Sequence, residues 1–376
     1  VLYFDHNATS PLCPEARAAW LQATEEFIGN PSSPHRLGRR AEIALERARE
    51  TLAEGLGCEP HEIVWTSGAT ESVNTAVQHF VGGEGDALLS PIEHPCVLQA
   101  ARRWFGDRVR FVPLLSDGAL DLEALGAMMR QKLPDFVAIM AANNETGALM
   151  PWREVRAVCG TVPLLCDAAQ WIGKLPARNL GECDFVSGCA HKFGGPPGVG
   201  FLKVRGSLNP LIVGGGQEEG RRAGTENVPG ILAMIAAFKA REASLAAGLH
   251  DERRRWREEF IAGVLDGFGD AQVVSPQRDT LWNTVSMVMP EVDCRQRWVV
   301  KLDKLGFAVS TGSACASGKE NPSHVLTALG YSPALASRVL RFSSGWETTR
   351  DDWQALLSGV REAYAQMQAE RSVGQP

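Results

Sequence analysis

From residue 16 to about 246, short apolar runs alternate with amphipathic stretches. "EIVWTSG" (62–68) predicts a strand running into a turn, and "ATESVNTAVQHFV" (69–81) a helix behind it. "DALLSP" (86–91), "VRFVPL" (109–114), "DFVAIMAANN" (135–144), "PLLCDAA" (163–169), "CDFVSG" (183–188) and "GVGFLKV" (198–204) predict further strands. Amphipathic segments such as "LDLEALGAMMRQKL" (120–133) separate many of them. Strands that are apolar along their whole length are buried on both faces. The pattern therefore predicts a mostly parallel sheet covered by helices on both sides.

A long helical stretch follows at 227–268, with Pro229 in its first turn and Gly248 as a break. Beyond it, "NTVSMVMP" (283–290), "FAVSTG" (307–312) and "RVLRFSSG" (338–345) read as strands of a smaller α+β unit. The expected division is a large α/β domain over 16–246, and a small domain built from 1–15 and 247–376. The tail "AERSVGQP" (369–376) is expected to be unstructured.

Composition narrows the function classes. A net charge of −6 over 376 residues argues against nucleic acid or an anionic membrane as the main partner. The one basic cluster, "DERRRWREE" (251–259), alternates in sign like a solvated helix face. No apolar run approaches the ~20 residues of a membrane span, and the first residues show no secretory signal pattern. Nine cysteines without a C-x-x-C pair point to a reducing, cytoplasmic setting and away from a disulfide framework.

Ligands of open parallel sheets bind beyond the carboxyl ends of the strands, and several suggestive groups fall there. "TSGATES" (66–72) places Ala69 and Thr70 where helix N–H groups and a hydroxyl suit a phosphate, although a capped helix start explains it equally well. His94 in "EHP" and Asn144 in "NNETG" follow two other strands; a satisfied polar residue and an Asx turn are the plain alternatives. Asp167 closes the run "VPLLC", where an unpaired carboxylate is costly, so it needs a cationic partner from the protein or a ligand. Lys192 lies in "SGCAHKFGGPPGVGF" (187–201), a bend too rich in Gly and Pro for a helix. It is a candidate nucleophile, with an Asp167–Lys192 salt bridge as the structural alternative. Cys315, in "STGSACASGKENPSHV" (310–325), sits among small polar residues, unlike most of the other cysteines.

Taken in order, "YFDHNAT" (3–9), "GNPSSPH" (29–35), "TSGATES", "EHP", "NNETG", "DAAQ", "AHKFGGP", "GGGQEEGRRAGTENVPG" (214–230), "GSACASG" and "RFSSG" (341–345) resemble the cysteine desulfurases of the class V aminotransferases, in their NifS/IscS-like branch. The resemblance spans nearly the whole chain. It implies a fold-type-I transferase that uses pyridoxal 5'-phosphate (PLP) to convert L-cysteine to L-alanine. The sulfur would pass as a persulfide on Cys315 to an acceptor such as an iron–sulfur scaffold or a thiolation protein. A selenocysteine lyase, or another PLP lyase or transaminase of the same fold, is the alternative.

By the same resemblance, Lys192 would be the Schiff-base lysine and proton shuttle, Asp167 the partner of the ring nitrogen, and His94 a stacking acid/base group. Gln170 would reach the ring oxygen, and Asn144 the cofactor or substrate carboxylate. Ala69, Thr70 and His191 would hold the phosphate. Thr225 would reach the phosphate of a neighbouring subunit, which implies a homodimer. Arg341, helped by Asn30, would bind the substrate carboxylate. Three departures stand out: Cys189 replaces a serine of the phosphate site, Pro197 a lysine and Trp346 an arginine.

Overall fold

The computed structural model describes residues 1–275, 278–292, 295–311 and 323–373; Cys294 and Cys315 lie outside them. A first short strand, β1 (Leu2–Tyr3), leads to a seven-stranded sheet. Its members are β2 (Ile63–Thr66), β3 (Ala87–Leu89), β4 (Val109–Phe111), β5 (Phe136–Met140), β6 (Leu164–Asp167), β7 (Phe185–Cys189) and β8 (Gly200–Val204). The order is β2-β8-β7-β6-β5-β3-β4, and only β8 runs against the rest. That reversal follows from the chain between β7 and β8, where Gly194 (φ 95°) and Gly198 (φ 75°) adopt a backbone that side chains resist.

Both faces of the sheet are buried, as the continuous apolar strands require. Along β5, Val137 and Ile139 enter one core with Leu164 and Cys166, while Phe136 and Ala138 enter the opposite core with Leu165. The period of two in strand side chains produces this division. Asn227 caps the helix Val228–Ala246 by accepting from the Gly230 N–H (3.1 Å). Gly248 (φ 72°) separates it from the helix Leu249–Gly267.

A third core gathers Phe4, Phe260, Met287, Trp298, Leu340, Phe342 and Trp353. It covers an antiparallel sheet of β9 (Gln272–Val273), β10 (Thr284–Val288) and β12 (Val339–Ser343). The remaining strand, β11 (Phe307–Ala308), pairs in parallel with β1, so the first residues of the chain are tied to its last third. The end of the chain corrects one expectation. The helix Arg350–Val373 runs well into the segment expected to be unstructured, because Trp353, Leu356, Val360, Ala363 and Met367 bury one continuous face in this core. Among the described residues, no helix is long and apolar enough to cross a membrane.

Candidate active site

A cavity of about 800 Å³ opens at the carboxyl ends of β2, β5, β6 and β7. Ten of the expected residues line it: Ala69, Thr70, His94, Asn144, Asp167, Gln170, Cys189, His191, Lys192 and Arg341. Most of these residues, far apart in sequence, converge here because they follow or end strands of the seven-stranded sheet, while Arg341 comes from β12 of the smaller sheet.

Asp167 is the last residue of β6 and is almost fully buried. Its Oδ1 accepts from the Ala169 N–H (3.0 Å) and the Ser187 hydroxyl (3.1 Å). Ser187 comes from β7, where the register sets it beside Asp167. No ion pair to Asp167 occurs among the described residues, so the Asp167–Lys192 salt bridge is not formed. Instead the Lys192 Nζ donates to the main-chain carbonyls of Asn7 (2.7 Å) and Ala8 (2.8 Å). Burial holds its pKa below the usual lysine value, and the charge of Arg341 pushes the same way.

Gln170 donates from Nε2 to the Asn7 carbonyl (2.9 Å) and accepts at Oε1 from Lys174. Lys174 is itself fully enclosed, and burial drives its pKa well below normal. His94 caps the helix Pro95–Phe105: its Nδ1 accepts from the Cys96 N–H (3.2 Å). That donor places the ring proton on Nε2, and burial lowers the histidine's pKa. The same nitrogen lies 3.0 Å from the Cys96 sulfur, so His94 is a satisfied cap and a cavity residue at once.

The Asx turn expected at 143–147 is real but belongs to Asn143. Its Oδ1 accepts from the N–H groups of Glu145 and Thr146 (both 2.9 Å). The turn leaves Asn144 on the cavity wall, where its carbonyl accepts from Arg341 Nη1 (2.8 Å). Arg341, on β12, is 1% exposed and pairs through Nη2 with Asp5 Oδ1 (2.5 Å).

At the other end of the cavity the helix Ala69–His79 points its N-terminus inward, and Gly68 supplies no side-chain cap. The Ala69 N–H faces the sulfur of Cys189 and favours its charged form, but burial outweighs this and pushes the thiol up to about 11. His191 lies 3.3 Å from the Thr9 hydroxyl, and burial lowers its pKa to about 4. A helix N-terminus with neutral donors around it suits an anion.

Two expected residues stand apart from this cavity. Asn30 is exposed, its side chain accepts from the Ser32 N–H (2.9 Å) in a local turn, and it does not line the cavity with Arg341. Thr225 is exposed on the loop before the helix Val228–Ala246. Of the departures, Pro197 lines the cavity, while Trp346 is buried behind it and donates to the Gly173 carbonyl (2.8 Å). Sequence reasoning missed Asn7, Cys96, Lys174, Ser187 and His324. None of them carried a signal of its own in the sequence: even Lys174, four residues after Gln170, is brought to the site only by the turn of the chain at 168–175. No His, Cys, Asp or Glu cluster suited to a metal occurs among the described residues.

The aminotransferase class-V family model matches residues 2–356. A cysteine desulfurase of Gluconacetobacter diazotrophicus is 38% identical over 95% of this chain and 91% of its own length. A solved NifS-like protein superposes with a TM-score of 0.88 at 32% identity, covering 97% of this chain and 99% of its own. SspA, solved in complex with cysteine, superposes with a TM-score of 0.78 at 28% identity, covering 91% of this chain and 98% of its own.

Proposed function

The chain belongs to the class-V aminotransferase family, and from that premise we propose that it is a PLP-dependent cysteine desulfurase, converting L-cysteine to L-alanine. One observation carries the reading. A half-buried amine, Lys192, and a buried carboxylate, Asp167, share one cavity without neutralising each other. A buried anion held by two neutral donors on one oxygen is costly unless a cation meets it. A protonated ring nitrogen is such a cation, so these residues fit PLP.

Lys192 would carry the cofactor, with Asp167 at its ring nitrogen, Gln170 at its ring oxygen, and His94 against its face. Ala69, Thr70, Cys189 and His191 would hold the phosphate. When bound, PLP supplies an electron sink for the substrate Cα. The residues of the chain do the rest. Arg341 and Asn144 orient the carboxylate of the amino acid. Lys192, its pKa lowered by burial, takes and returns a proton at Nζ. His94, protonated at Nε2, is placed to pass protons to and from the substrate.

Cys315 lies outside the described residues, and its role rests on the "GSACASG" resemblance. As a thiolate it would attack the substrate sulfur: the new S–S bond forms as the C–S bond breaks, leaving a persulfide on Cys315. An acceptor protein, such as an iron–sulfur scaffold, then takes the sulfur. We read the working unit as a homodimer in which Thr225 serves the neighbouring site. The seven described cysteines are all free, which supports a reducing, cytoplasmic setting.

The test is to supply L-cysteine with a reductant and follow alanine and sulfide. Cys315→Ser is expected to release no sulfide while still changing the cofactor's absorbance on binding cysteine. Full alanine formation by that variant would exclude the persulfide route.

A further inference from the structure

The segment "DHNATS" (5–10) touches a different candidate group at almost every residue. Asp5 pairs with Arg341, Thr9 meets His191, and Ser10 donates to the Lys192 carbonyl (3.1 Å). Asn7, 1% exposed, is the best connected of them. Its main-chain carbonyl accepts from both Lys192 Nζ (2.7 Å) and Gln170 Nε2 (2.9 Å). Its side-chain Oδ1 accepts from Lys174 (2.9 Å) and Asn283 (3.3 Å), and its Nδ2 donates to the Asn144 carbonyl (3.2 Å) and Thr284 Oγ1 (2.9 Å). A carboxamide has two donors and two acceptor lone pairs, and here all four are used. A polar network so fully satisfied fixes its centre in one position.

We propose that Asn7 is a positioning residue: its side chain clamps the strap 5–10 so that the Asn7 and Ala8 carbonyls form a seat for the free amine of Lys192. The proposal rests on reading Lys192 as the cofactor-carrying lysine. That reading requires the amine to leave its covalent bond and return to it in every turnover. A free amine in a closed cavity loses its orientation unless acceptors hold it. Two carbonyls on one rigid segment take two of its three donor positions and favour the ammonium form. Other charged or titratable groups around the amine are Asp5, His94, Asp167, Lys174, Cys189, His191 and Arg341, and none of them is its hydrogen-bond partner.

The experiment uses the full-length protein stripped of cofactor. Lys192 is methylated with formaldehyde and cyanoborohydride across a pH series, and its modification is quantified by peptide mass spectrometry. Freed from the clamp in Asn7→Ala, the amine loses a hydrogen bond to its charged form. The labelling midpoint is then expected to fall by about one pH unit, giving roughly tenfold more neutral amine below it. Thr284→Val removes the Thr284 Oγ1 anchor, together with that hydroxyl's bond to Asn283 Oδ1 (2.8 Å), leaves the other Asn7 side-chain bonds in place, and is expected to shift the midpoint the same way by less. On adding PLP, both variants should form the borohydride-stable Lys192 adduct more slowly than wild type despite their more neutral amine, because the amine is no longer aimed. A folded Asn7→Ala protein that titrates at the wild-type midpoint overturns the proposal. If Asn7→Ala does not fold, an unshifted Thr284→Val overturns it. The functional reading fails separately: wild-type Lys192 would then not capture PLP at all, whatever its titration in the variants.

Discussion

Replacing Cys189 by serine tests how the chain binds the cofactor phosphate. Cys189 ends β7, is 3% exposed, and turns its sulfur toward the Ala69 N–H. With its pKa pushed up to about 11 by burial, it is a neutral thiol at physiological pH. Sulfur donates weakly, whereas a serine hydroxyl at the same corner donates strongly to an anion. A hydrogen bond to a charged group is worth about 1.5–3 kcal/mol. Allowing for the weak bond that the thiol already makes, the gain is about 1–2 kcal/mol, or roughly five- to thirtyfold in affinity. Neither the Ala69 donor nor the packing around β7 has to move, so stability without cofactor should change little. PLP is titrated into the stripped wild-type and Cys189→Ser proteins, following tryptophan fluorescence, with thermal unfolding of both as the control. Tighter binding by the variant, with the reaction unchanged, is expected. Equal or weaker binding by a normally folded variant refutes the idea that Cys189 is a weakened phosphate ligand.

Lys192→Ala is expected to yield a colourless protein; borohydride reduction and peptide mapping of the wild type should find the cofactor on Lys192, and an adduct on another lysine contradicts the assignment. Glu93 predicts a pH dependence of stability. Its Oε1 accepts from the Met140 N–H (2.8 Å), it is fully enclosed, and its pKa is raised well above 4.5, first by burial and then by the charge of Asp167. Above about pH 4.5 the unfolded chain gives up this proton and the folded protein keeps it, so the group's contribution to stability declines as pH rises. Glu93→Gln removes the titration, so the stability of the variant relative to wild type should increase with pH in urea unfolding curves; parallel curves would show that Glu93 is ionised in the fold.

The parts of the site that could be read from the sequence are those with a local cause. Asp167, His94 and Lys192 each end or follow an apolar run, and the carboxyl ends of parallel strands converge. The Gly/Pro bend at 193–198 likewise marks a sharp reversal, although not that β8 would run antiparallel. Groups defined by pairing across the chain were not legible. Ser187 serves Asp167 only through the register of β6 and β7. Lys174 reads as a surface lysine until the structure encloses it, and Cys96 matters only because it begins the helix that His94 caps. Asn7 looked like part of a short N-terminal motif, yet it bridges residues 137 to 277 positions away. That the Asn30 side chain closes its own turn was likewise not legible from its motif.

The proposed passage of sulfur from cysteine to Cys315 can be observed directly. Full-length protein loaded with PLP is mixed with L-cysteine without reductant, and each cysteine peptide is examined by mass spectrometry. The account predicts one added sulfur atom on the Cys315 peptide, removable by a thiol reductant and formed together with alanine. Alanine formation with Cys315 unmodified, or with the added sulfur on another cysteine, would contradict it.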